Sequence, residues 1–180
     1  GVQTCALPIF MALQEATQWS CTPHAWSRSV VVYDFTEMLL AALEAQGQTY
    51  RVAQVGGARA VNPGFSIGPI PGLTVVHDPA VFQPLFGTDE AACGFRIADV
   101  IVVREGVDVE RVGTTEYEDA YSVVPVVMTV HRGYSWTDVA VAGARLRVVA
   151  THLESLFDEG SVPTAKLQAD QLVNDLRSEE

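Results

Sequence analysis

In "TDVAVAGARLRVVATH", Thr137 to His152, apolar and polar residues alternate on both sides of Gly143. That pattern predicts two antiparallel strands joined by a tight hairpin. The second strand closes on Thr151-His152 and runs at once into an acidic, loop-like stretch, so a strand of buried character delivers a histidine to its rim. A helical period replaces the alternation in "YDFTEMLLAALEAQG". There Phe35, Met38, Leu39, Ala42 and Leu43 share one face, Asp34 is placed as N-cap with Glu37 three residues on, and Gly47 stands at the C-terminal end. "SVPTAKLQADQLVNDL" predicts a second amphipathic helix, with Pro163 near its first turn and Ala169, Leu172, Val173 and Leu176 on one face.

Between these segments the apolar runs are shorter. "FMALQEATQW" predicts a buried strand ending at Gln14-Glu15, and "WSCTPHAWSRS" a loop. "TYRVAQV" and "FRIADVIVVREG" predict strands, the latter with Asp99 set into an apolar run. Residues 56–94 are rich in Gly and Pro and predict a long surface excursion. They hold no GK[ST] and no following helix, so a phosphate-loop reading fails. The alternation of helices, strands and hairpins predicts an α/β domain, a mixed sheet with helices outside.

Composition narrows the function classes. The chain has 180 residues, 48% of them hydrophobic, enough for one sizeable core, and no apolar run approaches the roughly 20 residues that cross a bilayer. The net charge of -11 offers no basic footprint for a polyanion, so a phosphoester substrate needs a bound cation. Residues 1–9 and 177–180 resemble translated sequencing-adaptor ends, which leaves 10–176 as the expected native segment. Cys21 and Cys93 then remain as either a disulfide of an exported protein or two buried thiols.

Three residues stand out chemically. Glu15, at the rim of a buried strand, suits a hard oxygen ligand for Mg²⁺ or Ca²⁺, or is a solvated loop charge. His152 suits proton transfer or hydrogen bonding to a phosphate, or is a strand-end residue bonded to backbone; Glu154, two positions on, is placed to orient its ring or is a rim charge. Asp99 within an apolar run needs a partner, either Arg104, Arg132 or a histidine on a neighbouring strand. His24, His77 and His131 form no evident constellation, and no serine sits in a GxSxG setting.

Taken in order, "LQEATQW", the helix of "YDFTEMLLAALEAQGQTYRV", the strand "ADVIVVR", the segment "RGYSWTDVAVAGARLRVVATHLE" and the trailing helix resemble the endonuclease/exonuclease/phosphatase superfamily over nearly all of Phe10 to Leu176. That family includes deoxyribonuclease I-like nucleases, inositol-phosphate phosphatases and neutral sphingomyelinases. The resemblance implies a four-layer α/β sandwich, two sheets face to face with helices outside. It implies Mg²⁺-dependent hydrolysis (Mn²⁺ or Ca²⁺ as substitutes) of a phosphoester in nucleic acid, a phospholipid head group or an inositol phosphate. On it, Glu15 matches the metal-ligand glutamate and His152 the histidine beside the scissile phosphate. Apart from the resemblance, the position of Asp99 on a plausible neighbouring strand is read as orienting that histidine. Family members commonly carry Asn where this chain has Ala150, and their metal-site Asn, Gly-Asp-x-Asn and Ser-Asp-His motifs would lie before Phe10 and after Leu176. The expectation is therefore an active hydrolase in the parent protein and an inactive segment in isolation. The competing expectation is a non-catalytic binding module on the same fold.

Overall fold

In chain order the elements of the computed structural model are β1 (Phe10–Leu13), β2 (Gln18–Thr22), β3 (Val30–Asp34), α1 (Phe35–Ala45), β4 (Tyr50–Val52), β5 (Gln54–Val55), β6 (Ala58–Arg59), β7 (Ser66–Ile67), β8 (Val75–His77), α2 (Pro79–Phe86), β9 (Glu90–Arg96), β10 (Val100–Arg104), β11 (Asp108–Glu116), β12 (Tyr121–Val124), β13 (Met128–Val130), β14 (Gly133–Val141), β15 (Ala144–Thr151) and α3 (Thr164–Ser178). The structure describes residues 10–13, 18–23, 29–62, 64–67, 75–124, 128–154 and 163–178.

The expected hairpin is β14–β15, paired without interruption from Tyr134↔Thr151 to Val141↔Ala144. Ala142 and Gly143 both take positive φ, 50° and 81°, as a two-residue turn of this hand requires. β11 lies on the other edge of β14, and in a second sheet β10 lies between β1 and β4. The two sheets meet through their apolar faces. Ile101 and Val103 of β10 pack with Val139, Val148 and Ala150, all buried. The other face of β10, Val100 and Val102, packs with Tyr50, Val52 and the α1 residues Leu40 and Leu43. A strand covered on both sides needs an unbroken apolar run, which is why "VIVV" does not alternate. Burying each such side chain contributes about 1.5–3 kcal/mol.

A third sheet runs β3-β2-β9-β7, with β8 also on β9. Cys21 and Cys93 face each other across β2 and β9 and form a disulfide, packed with Phe82 of α2. This sheet corrects two expectations. Trp19 to Thr22 belong to a strand rather than a loop, and much of 56–94 is strand and helix rather than a surface excursion. β7 and β8 are two and three residues long, too short for a period to register. Pro79, which reads as loop punctuation, occupies the first turn of α2, where proline costs no hydrogen bond.

α1 starts as expected, with Asp34 accepting from the Glu37 amide at 3.1 Å. Its apolar face is turned, however. Leu40 and Leu43 reach the core, while Phe35 and Met38 are 44% and 52% exposed. Asp99 also differs, lying in the link before β10 rather than inside the strand. All strand pairings described are antiparallel, so the architecture is mixed α/β with several antiparallel sheets and, among the described residues, three helices. None of those helices is long and apolar enough to cross a membrane.

Candidate functional site

β15 ends at Thr151, and the register that buries Val148 and Ala150 against β10 leaves His152 half-buried at the end of the sheet. Thr151 is anchored on both sides. Its hydroxyl gives its one proton to the Gly133 carbonyl at 3.1 Å, so in the 2.6 Å contact with Tyr117 the phenol is the donor. Burial pushes the Tyr117 phenol above its ordinary range; the bond to Thr151 pulls it down, and Tyr134, Asp175 and Asp99 add to the rise.

Asp99 is 3% exposed and locked to Asn62 in both directions. Asn62 Nδ2 donates to Asp99 Oδ2 at 2.6 Å and to the Gly133 carbonyl at 3.0 Å, while the Asp99 amide donates to Asn62 Oδ1 at 2.8 Å. The Gly133 carbonyl thus ties the Asp99 link to the His152 strand. A close backbone approach shapes the same place: a Cβ on Gly64 would stand 1.4 Å from the Ile97 carbonyl oxygen, so only glycine fits.

Arg132, one residue before β14, completes the arrangement. Its Nε donates to Glu154 at 3.3 Å, and its Nη1 lies 3.4 Å from His152 Nδ1. A guanidinium has only donors, so Nδ1 is the acceptor there, and a neutral ring carries its proton on Nε2. Glu154 is fully buried, and its backbone N–H donates to Oε1 of the α3 side chain Gln168, whose Nε2 donates to the Asp119 carbonyl. Asn62, Gly64, Asp99, Arg132 and His152 line one tight cleft of about 10 Å³, room for a single water.

Asp99 and His152 therefore share a cleft. Asp99 pairs with Asn62, a partner the sequence did not suggest, and Glu154 meets the ring through Arg132. The role of Asn62 and the Arg132–Glu154 pair had no periodic signal; the polar Arg132 before an alternating strand was the only hint. His131 pairs instead with Glu116 at 2.7 Å, and His77 lies 4.0 Å from Glu90. Glu15 and His24 lie outside the described residues. Among the described residues no three His, Cys, Asp or Glu side chains gather as a metal site. Comparison of the chain with protein-family models, curated proteins and solved structures gives no match.

Proposed function

We propose that this chain is part of a metal-dependent phosphoester hydrolase of the endonuclease/exonuclease/phosphatase type. The observation that carries the reading is the convergence of Asp99, Arg132 and His152, far apart in sequence, on one cleft at the end of β15. The packing of β10 between α1 and the β14–β15 hairpin, with Tyr134 of β14 bonded to Asp175 of α3, supports a four-layer sandwich as the frame.

The donors around the cleft are hard oxygens, the Asp99 carboxylate and the Asn62 amide, which suit Mg²⁺ better than a soft metal. Mg²⁺ is usually held through one or two carboxylates with water filling its shell, and the resemblance assigns that role to Glu15; Mn²⁺ or Ca²⁺ is a substitute. Such an ion supplies charge stabilisation on the phosphoryl oxygens. The chain's own groups do the rest. His152 donates through Nε2–H to the phosphoryl group, Arg132 fixes that tautomer and adds a cation, and Asp99, held by Asn62, positions the cleft wall. Substrates in scope are nucleic acid, phospholipid head groups and inositol phosphates. The net charge of -11 disfavours a long nucleic-acid track, and the Cys21–Cys93 disulfide favours an exported protein.

The test is Mg²⁺ dependence of bis(p-nitrophenyl) phosphate hydrolysis by the protein with its native flanking sequence restored. The reading expects activity that chelation abolishes, Mg²⁺ restores and Glu15→Gln lowers at least tenfold. No hydrolysis in that protein favours the non-catalytic module.

A further inference from the structure

A second polar pocket of about 260 Å³ adjoins the cleft through Ala98 and is lined by Gln18, Asp34, Thr36, Arg59 and Arg96. The strand register explains the gathering. Gln18 stands opposite Asp34 on β3 and opposite Arg96 on β9, so these side chains share one face of the sheet. The carboxylate in the pocket is already engaged: Asp34 caps α1 through one oxygen and accepts from the Gln18 amide through the other. Elsewhere Arg111, Arg132, Arg145 and Arg147 each meet a carboxylate. Among the described residues, Arg59 and Arg96 meet no carboxylate, as is also true of Arg51, Arg104 and Arg177, but Arg59 and Arg96 line one pocket together. Two guanidiniums that line one pocket, whose own carboxylate, Asp34, is already bonded to Gln18 and to the α1 N-terminus, are placed to take an anion between them. Like charges on one wall repel unless an anion stands between them.

We propose that this pocket binds a phosphate group, free or as a monoester, gripped by the Arg59 and Arg96 guanidiniums with the Thr36 hydroxyl as a further donor. Arginine's planar fork matches a tetrahedral oxyanion with two donors at once. The site is separate from the His152 cleft and does not rest on the hydrolase reading.

Inorganic phosphate titrated into the full chain at low ionic strength, followed by calorimetry and by the Gln18 side-chain amide resonance, tests it. Saturable binding that shifts the Gln18 amide is expected, weakened about tenfold by Arg59→Gln and by Arg96→Gln. Arg132→Gln and Arg104→Gln, the latter on exposed β10 surface outside the pocket, are expected to leave that binding within about twofold. Arg59, Arg96 and Arg104 are exposed, whereas Arg132 is 11% exposed and paired with Glu154, and an unchanged near-ultraviolet circular dichroism spectrum establishes that each variant is folded. Binding that survives both pocket changes overturns the site. An equal loss in Arg104→Gln reduces it to diffuse attraction and overturns it too. Loss in Arg132→Gln alone moves the phosphate to the His152 cleft, and tighter binding of succinate than of phosphate overturns the ligand class.

Discussion

Arg132 donates through Nε to Glu154 across 3.3 Å, and the carboxylate it meets is wholly removed from water while the guanidinium is 11% exposed. Removing one partner of a buried pair leaves the other charge in a medium that does not solvate it, at a cost of about 3–5 kcal/mol. Arg132→Met is therefore expected to lower the urea unfolding midpoint by an amount corresponding to that range. Glu154→Gln, which keeps a hydrogen-bonding group of the same shape, is expected to cost less. Equal, sub-kcal effects contradict this assignment of the pair.

Gln168 is the fully buried polar residue of α3, and its amide serves the Glu154 N–H and the Asp119 carbonyl. Gln168→Leu preserves volume and orphans two backbone groups, which is expected to cost about 2–4 kcal/mol in the same denaturation measurement. Faster exchange of the Glu154 amide is expected alongside. A variant as stable as the parent contradicts the bridging role.

Two titrations have opposite signs. The Arg147 hydrogen bond, opposed by burial and aided by the charges of Arg147 and Arg111, holds the Asp138 carboxyl below its ordinary 3.8. The folded state then binds that proton less readily than the unfolded chain. Its contribution is complete above the ordinary value and is lost as pH falls through the depressed one. Asp138→Asn is expected to flatten stability against pH on the acid side. The Tyr117 phenol is raised above 10.0, so its contribution is complete below that pH and is lost as pH climbs through the raised value. Stability profiles of Asp138→Asn and Tyr117→Phe check the two signs.

The Cys21–Cys93 disulfide closes a separation of 72 residues, for which chain entropy alone gives about 4 kcal/mol. Reduction under denaturing conditions followed by refolding in dithiothreitol is expected to lower the unfolding midpoint accordingly. Both cysteines are 1% exposed, so reduction of the folded protein is expected to be slow. An unchanged midpoint contradicts a stabilising role.

What was legible in the residues follows from period and capping. The β14–β15 turn at Gly143, the Asp34 cap of α1 and the α3 start after Pro163 each rest on local chemistry, and each is present. The third sheet was not legible, because β7 and β8 are too short to carry alternation and β2 is written in Ser, Cys and Thr. The face of α1 was misjudged because periodicity marks an apolar stripe and not which half of it the core covers. At the site, His152 and Asp99 stood out as polar interruptions of apolar runs, whereas Asn62 lies in a Gly- and Pro-rich stretch with no pattern to interrupt. Its importance comes only from the chain crossing back to Asp99 and Gly133.

The most direct measurement of the central claim is kcat for bis(p-nitrophenyl) phosphate in Mg²⁺, compared between the wild-type protein and His152→Ala with native flanking sequence present. A positioned acid or hydrogen-bond donor at the phosphoryl group predicts a fall of at least about 100-fold with the urea midpoint nearly unchanged. A rate within about threefold of wild type contradicts the assignment of His152 to the chemistry.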